Sequence, residues 1–422
     1  MKPELALLIS VSILYSIGGY SVSQREEIFL IIIIMLFLSV IIVFTNYKYT
    51  RSSINDTTIK NNLIYISFVL IFLYQIITSI LPVEYWLLPG SIKYKSFENR
   101  SGVLYACVVA FVPYLLSRIQ SKAWFYIATI LSSILVLLSL GRNPSLVYFI
   151  LLFLKFNLSL KKSLIFALIG AFFAIFIDVV RAKGFGEEAL DKFFSMNLLD
   201  YFENSGEATV FGRLYDVYYK TGGEMSFLSI QSFINPFLSL IPKSMNGFEE
   251  VQLARLISDV YHTTGGLPLS IEGMLYNGYI GILVFYTLTF FPIILLFSKV
   301  KFINSFFKRA FLIFLIINSF RIDMTTIYGF AFNGFFLILL FKAFENIPNI
   351  FYKFLLKLNL QKKNMNGCLK KKYVRFVLQS IFHYWNGWVI PLKCLKCSMP
   401  VLTILTGALE TVSAYLILGI DR

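Results

Sequence analysis

Hydrophobic and polar positions alternate over long distances in this chain. Apolar runs of roughly 20 residues, enough to cross about 30 Å of hydrocarbon, are separated by short polar connections. Runs at 4–20, 28–45, 63–81, 102–117, 123–140, 144–156, 163–180, 274–298, 310–320 and 328–344 read as membrane-spanning helices. They lack the ten-residue alternation of a barrel strand, and a helix satisfies its own backbone polar groups in lipid. Runs 144–156 and 310–320 are short, and each abuts an arginine, Arg142 and Arg321. Either these helices continue through their polar ends, or they stop early around a water-filled cavity. Residues 401–420 form an eleventh candidate, but Glu410 at the centre is costly in lipid. The expected fold class is therefore an all-α, polytopic membrane protein.

One stretch breaks the pattern. Residues 181–272 are polar and carry 7 Lys/Arg against 12 Asp/Glu. The whole chain has 38 against 23, so the remainder holds 31 against 11. The expected organisation is seven helices over 1–180, a long extracytoplasmic loop over 181–272, three helices over 273–345 and a basic tail over 346–422. Within that tail, the basic run 362–372 is suited to anionic headgroups.

Composition removes the soluble alternatives. The chain is 57% hydrophobic and 14% charged, with 44 Phe and 25 Tyr, more apolar surface than a soluble domain of 422 residues can bury. The formal charge of +15 does not imply nucleic acid, because most Lys/Arg sit in short connections where they set topology. With the long loop outside, Lys2, Lys48, Arg51, Lys60, Arg118, Lys122, Lys155, Lys161 and Lys162 fall inside, as do Lys299, Lys301, Lys308 and Arg309. Both termini are then cytoplasmic, and the first apolar run reads as an anchor, not a cleaved signal. The 4 cysteines are too scattered for a disulfide framework. The lone Cys394-Leu395-Lys396-Cys397 lacks the ligands of a zinc site, so no metal or cofactor is expected.

Candidate chemistry gathers on the outer side of this topology. Gly141-Arg142-Asn143-Pro144 places Arg142 on a tight turn, as a snorkelling residue or as a bidentate diphosphate ligand. Arg181, Lys183, Arg213 and Arg255 stand out in the acidic loop, as surface ion pairs or, with Arg142 and Arg321, as an anion-binding set. His262, beside Asp259 and Tyr261, is a candidate general base or a structural histidine. Glu272 falls on the first turn of a helix re-entering the membrane, where it is a favourable N-terminal acid or a second candidate base. Gly278 and Gly281 follow it and suit close helix packing.

Many spans, one long late loop and the re-entry sequence GGLPLSIEGMLYNGYIG over 265–281 resemble the O-antigen polymerase (Wzy-type) family. NPFLSLIPKSM over 235–245 is similar to that family's loop, and Arg255 with Gly266 fits an Arg-x10-Gly spacing of some members. The resemblance covers about 141–344 and leaves the tail uncovered. It implies a bacterial inner-membrane glycosyltransferase. Such an enzyme moves a growing polysaccharide from undecaprenyl diphosphate onto the next lipid-linked oligosaccharide. It implies a flippase and a chain-length regulator as partners, and no nucleic acid. The rival readings are an O-antigen ligase and a transporter of the same lipid-linked sugar. The ligase loop carries a His followed closely by Asn, whereas His262 precedes Thr263-Thr264-Gly265.

Overall fold

The structure, a computed structural model, describes residues 2–50, 63–88, 102–156, 208–220 and 267–357, with a few positions between 159 and 195. Among the described residues it is helical and has no strand. The chain divides into two compact units, Met1–Phe336 and Leu337–Arg422.

The helices of the first unit are α1 (Lys2–Ser23), α2 (Glu27–Thr50), α3 (Leu63–Ile80), α4 (Gly102–Ser117), α5 (Lys122–Ser139), α6 (Arg142–Phe156), α7 (Ala208–Lys220), α8 (Leu269–Lys299) and α9 (Ser305–Asn318). The last, α10 (Met324–Lys357), begins in the first unit and continues into the second. Among the described residues, five helices, within α1, α2, α5, α8 and α10, are long and apolar enough to cross a membrane, and three shorter apolar helices lie within α3, α4 and α6. Helix α2 is apolar all round: Ile31, Ile32 and Met35 are buried while Ile33 and Phe37 are exposed. A helix with that surface belongs in lipid or in the core of a large protein.

Local sequence explains the irregular places. In α4, residues Cys107–Phe111 form a π turn, and the Val112 amide donates to the Cys107 carbonyl. In that register the Val108 carbonyl would receive its bond from residue 113, which is proline and has no N–H. The Tyr148 hydroxyl of α6 donates to it instead, at 2.6 Å. Helix α5 ends at Gly141, whose φ of +93° suits the left-handed residue after a helix. Arg142 opens the next helix, with Pro144 in its first turn.

The two short runs behave differently. Helix α6 runs through Arg142, so its polar end is helical. Helix α9 begins earlier than its apolar run, capped by Asn304, and stops at Asn318, before Arg321. The run at 102–117 is the whole of α4. The run at 163–180 lies mostly outside the described residues.

Side-chain bonds sort the helix ends of the first unit. At one end Glu4 of α1 pairs with Arg309 of α9. There the Asn304 amide donates to Ser117 Oγ at 2.8 Å, Lys308 Nζ to the Val300 carbonyl at 2.5 Å, and Tyr65 to the Leu115 carbonyl at 2.9 Å. The starts of α1, α3 and α9 and the ends of α4 and α8 therefore share this end. The opposite end gathers the end of α1, the start of α8, the end of α9 and the start of α10, with α7 packed on α1 and α8.

Candidate functional site

The site is built where α8 enters. Asn277 (φ −158°, ψ 42°) and Gly278 (φ +53°, ψ −141°) leave helical geometry and break α8 into a half-helix, 269–276, and a long span. Leu269 begins the half-helix by donating its amide to the Ser319 carbonyl of α9, at 3.0 Å. The half-helix is buried from Leu269 to Leu275. Gly278 thus supplies a left-handed backbone, not the close packing expected of it. Gly281 does pack closely, against Gly273 of the same broken helix.

That arrangement buries Glu272 against α10. Its Oε2 accepts the Met324 amide at 2.8 Å, and the residue is 3% exposed. Met324 opens α10, so the carboxylate lies at the positive end of a helix dipole. Asp323 precedes it and accepts the Thr326 amide at 2.8 Å, as an N-cap. Asp323 is also buried, and burial pushes its carboxyl above the usual range, opposed by its bonds to Thr326. Two carboxylates therefore converge on one helix start. Below them, the Tyr286 hydroxyl bonds Ser319 Oγ at 2.8 Å.

Arg321 lies in the turn between α9 and α10, half-buried, with its amide donating to the Asn318 carbonyl at 2.8 Å. Arg321 and Glu272 are thus brought to the same end of the fold. Arg213 lies on α7, which packs on α8, and is exposed. Arg142 starts α6, and chain direction through α5 brings that start to the same end. Arg181, Lys183, Arg255 and His262 lie outside the described residues.

Helix α7 falls within the polar stretch 181–272. Phe211, Leu214 and Tyr215 are buried at helical spacing. Gly212 meets Gly19 of α1 so closely that a Cβ on Gly212 would overlap the Gly19 carbonyl oxygen. Arg25 at the end of α1 lies 3.5 Å over the Tyr219 ring and 3.4 Å from Asp216 Oδ1.

Of the residues singled out in the sequence, the fold brings Glu272 and Arg321 to one end, beside Asp323 and α7, which the sequence analysis did not single out. Asp323-Met324-Thr325-Thr326 is an N-cap signature. Phe211, Leu214, Tyr215 and Tyr218 show the i, i+3, i+4, i+7 pattern of an amphipathic helix. Among the described residues, no three His, Cys, Asp or Glu gather as metal ligands would.

No protein-family model, no curated protein and no solved structure matches the chain. The class that sequence and fold define is a helical membrane protein.

Proposed function

We propose that this protein polymerises undecaprenyl-diphosphate-linked oligosaccharide units, as an O-antigen polymerase does, from the outer face of a bacterial inner membrane. The proposal includes ten spans and two cytoplasmic termini, with the Glu272 end outward. The observation that carries it is the burial of the Glu272 carboxylate at a helix break, at the end of the fold that also holds Arg321 and the loop helix α7. In the proposed reaction an acceptor sugar hydroxyl attacks the anomeric carbon of the growing chain. The bond from that carbon to the diphosphate oxygen breaks, and undecaprenyl diphosphate leaves with the electron pair. Glu272, or His262, takes the hydroxyl proton. Arg142, Arg213, Arg255 and Arg321, with Arg181 and Lys183 beside them, hold the diphosphate, whose charge grows as the bond breaks.

The test is the lipopolysaccharide ladder of a deletion strain. Loss of a polymerase leaves core capped with a single repeat unit. Loss of that last unit as well would overturn the proposal in favour of a ligase or transporter.

The broken helix favours a second reading. Discontinuous helices line substrate sites in many transporters. A transporter of the lipid-linked unit would move it across vesicle membranes without joining units, which purified protein in vesicles would show directly.

A further inference from the structure

Five of the 25 tyrosines lie in two short stretches: Tyr215, Tyr218 and Tyr219 on α7, and Tyr276 and Tyr279 at the α8 break. The fold joins the two stretches. Helix α7 packs on α8, and Tyr215 stacks on Tyr218, centroids 6.1 Å apart at 29°. The Tyr218 hydroxyl lies 4.0 Å from where a Cβ on Gly278 would stand, the nearest atom there among the described residues. Tyr276 stacks on Phe285, centroids 5.2 Å apart. Tyr219, one helical turn beyond Tyr215, has one face covered by Arg25 at 3.5 Å.

Burial divides the group into a base and a surface. Tyr215 is 3% exposed and serves as the base, whereas Tyr219 is 52% and Tyr279 is 42% exposed. Asn277, two residues before Tyr279, is exposed, and Asp216 and Arg25 flank the Tyr219 side. A belt of interfacial tyrosines would place each ring toward lipid. That does not account for a buried tyrosine stacked on another, nor for rings on a short helix that carries Arg213 and Asp216. Exposed phenol rings beside an amide, a carboxylate and a guanidinium suit a different ligand. A sugar ring offers a C–H face to an aromatic ring and hydroxyls to polar side chains.

We propose that Tyr219, Tyr279 and Asn277 form an oligosaccharide-binding platform over the α8 break, which takes a sugar ring of the lipid-linked unit. The identity of that unit rests on the transferase reading above. The platform itself rests on the tyrosine geometry. It places the glycan on the loop helix and beside the half-helix that carries Glu272, so that sugar binding and the buried carboxylate share one structural element.

The experiment uses the full chain in lipid nanodiscs. The probe is free repeat-unit oligosaccharide, released by mild acid from the lipid-linked pool of the host. Wild-type protein binds it, and Tyr219→Ala and Tyr279→Ala each weaken binding about tenfold, the scale of one good aromatic contact. Tyr219→Phe keeps the ring and stays within about threefold of wild type. Tyr219→Leu keeps the bulk without the ring and weakens binding as alanine does, which controls for folding. Alanine and leucine variants that bind like wild type, or a wild type that binds no oligosaccharide, overturn the platform. Polymer formation from intact lipid-linked units is read separately. Wild-type protein that binds oligosaccharide yet makes no polymer overturns the transferase reading and leaves the platform standing.

Discussion

Gly273 and Gly281 touch through their backbones. A Cβ on Gly273 would lie 2.5 Å from the Gly281 carbonyl oxygen, and one on Gly281 would overlap the Gly273 carbonyl. Eight residues of unbroken helix would separate them by about 12 Å. Their contact therefore measures how far the break at Asn277 and Gly278 folds the half-helix back. Gly281→Ala should destabilise by about 3 kcal/mol or more, because the overlapped atom is backbone and cannot rotate away. Gly278→Ala should cost about 1–3 kcal/mol, because φ +53° with ψ −141° is a backbone conformation almost confined to glycine. Gly329→Ala, with nothing within 4 Å, should be neutral or stabilising by up to about 1 kcal/mol. Thermal denaturation in detergent gives the order, and equal losses at Gly281 and Gly329 would refute it.

The bond between Glu272 and the Met324 amide separates folding from chemistry. Gln at 272 can still accept that amide through its side-chain carbonyl, but it cannot take a proton. Glu272→Gln should therefore accumulate and melt like wild type while polymer formation falls about 100-fold or more. Glu272→Ala leaves the amide buried without a partner and should also lose about 1–3 kcal/mol of stability. Wild-type turnover by the Gln variant would remove Glu272 from the reaction.

Asp323 provides a pH test. Burial raises its folded carboxyl above the unfolded value, so the folded state binds the proton more tightly. The stability linked to that proton is fully present below the unfolded value and is lost as pH rises through the folded one. Asn is an equally good N-cap and carries no charge. Asp323→Asn should thus gain melting temperature relative to wild type as pH rises from about 4 to about 8. A difference that shrinks over that interval would contradict the buried-carboxyl account.

Arg142 opens α6 directly after the left-handed Gly141. If its guanidinium holds the diphosphate as a fork, a lysine point charge is a poor substitute. Arg142→Lys should lose about 30- to 1000-fold in rate, nearly as much as Arg142→Ala, at unchanged protein level. A full-length polysaccharide ladder from the Lys variant would exclude the bidentate role.

The apolar runs were legible because span length is a low-resolution signal that single polar residues do not erase. Run 102–117 matches α4, although Pro113 and its π turn lie inside it. Helix ends were less legible. Helix α10 continues to Lys357, past its apolar run, because polar residues do not by themselves end a helix. Glycine was ambiguous in the same way. Gly278 and Gly281 sit three apart in one apolar run, yet one bends the backbone and the other permits contact. Glu272 stood out in the sequence because an acid beside an apolar run is conspicuous. Its neighbour Asp323 was not, because their proximity depends on a fold-back between residues about 50 apart in sequence. His262 and Arg255 lie outside the described residues.

The pairing of Glu4 with Arg309 sets a constraint on biosynthesis. The two residues are 305 apart in sequence. At about 5–20 residues per second, the ribosome makes the arginine about 15 s to 1 min after the glutamate. Throughout that interval the first helix carries an acid for which the guanidinium of Arg309 does not yet exist. The Glu4–Arg309 pairing is therefore a late event of biosynthesis, made after α1 can already pack on α2 and α7, and a ribosome stalled before Arg309 would hold a nascent protein in which that one link is still missing.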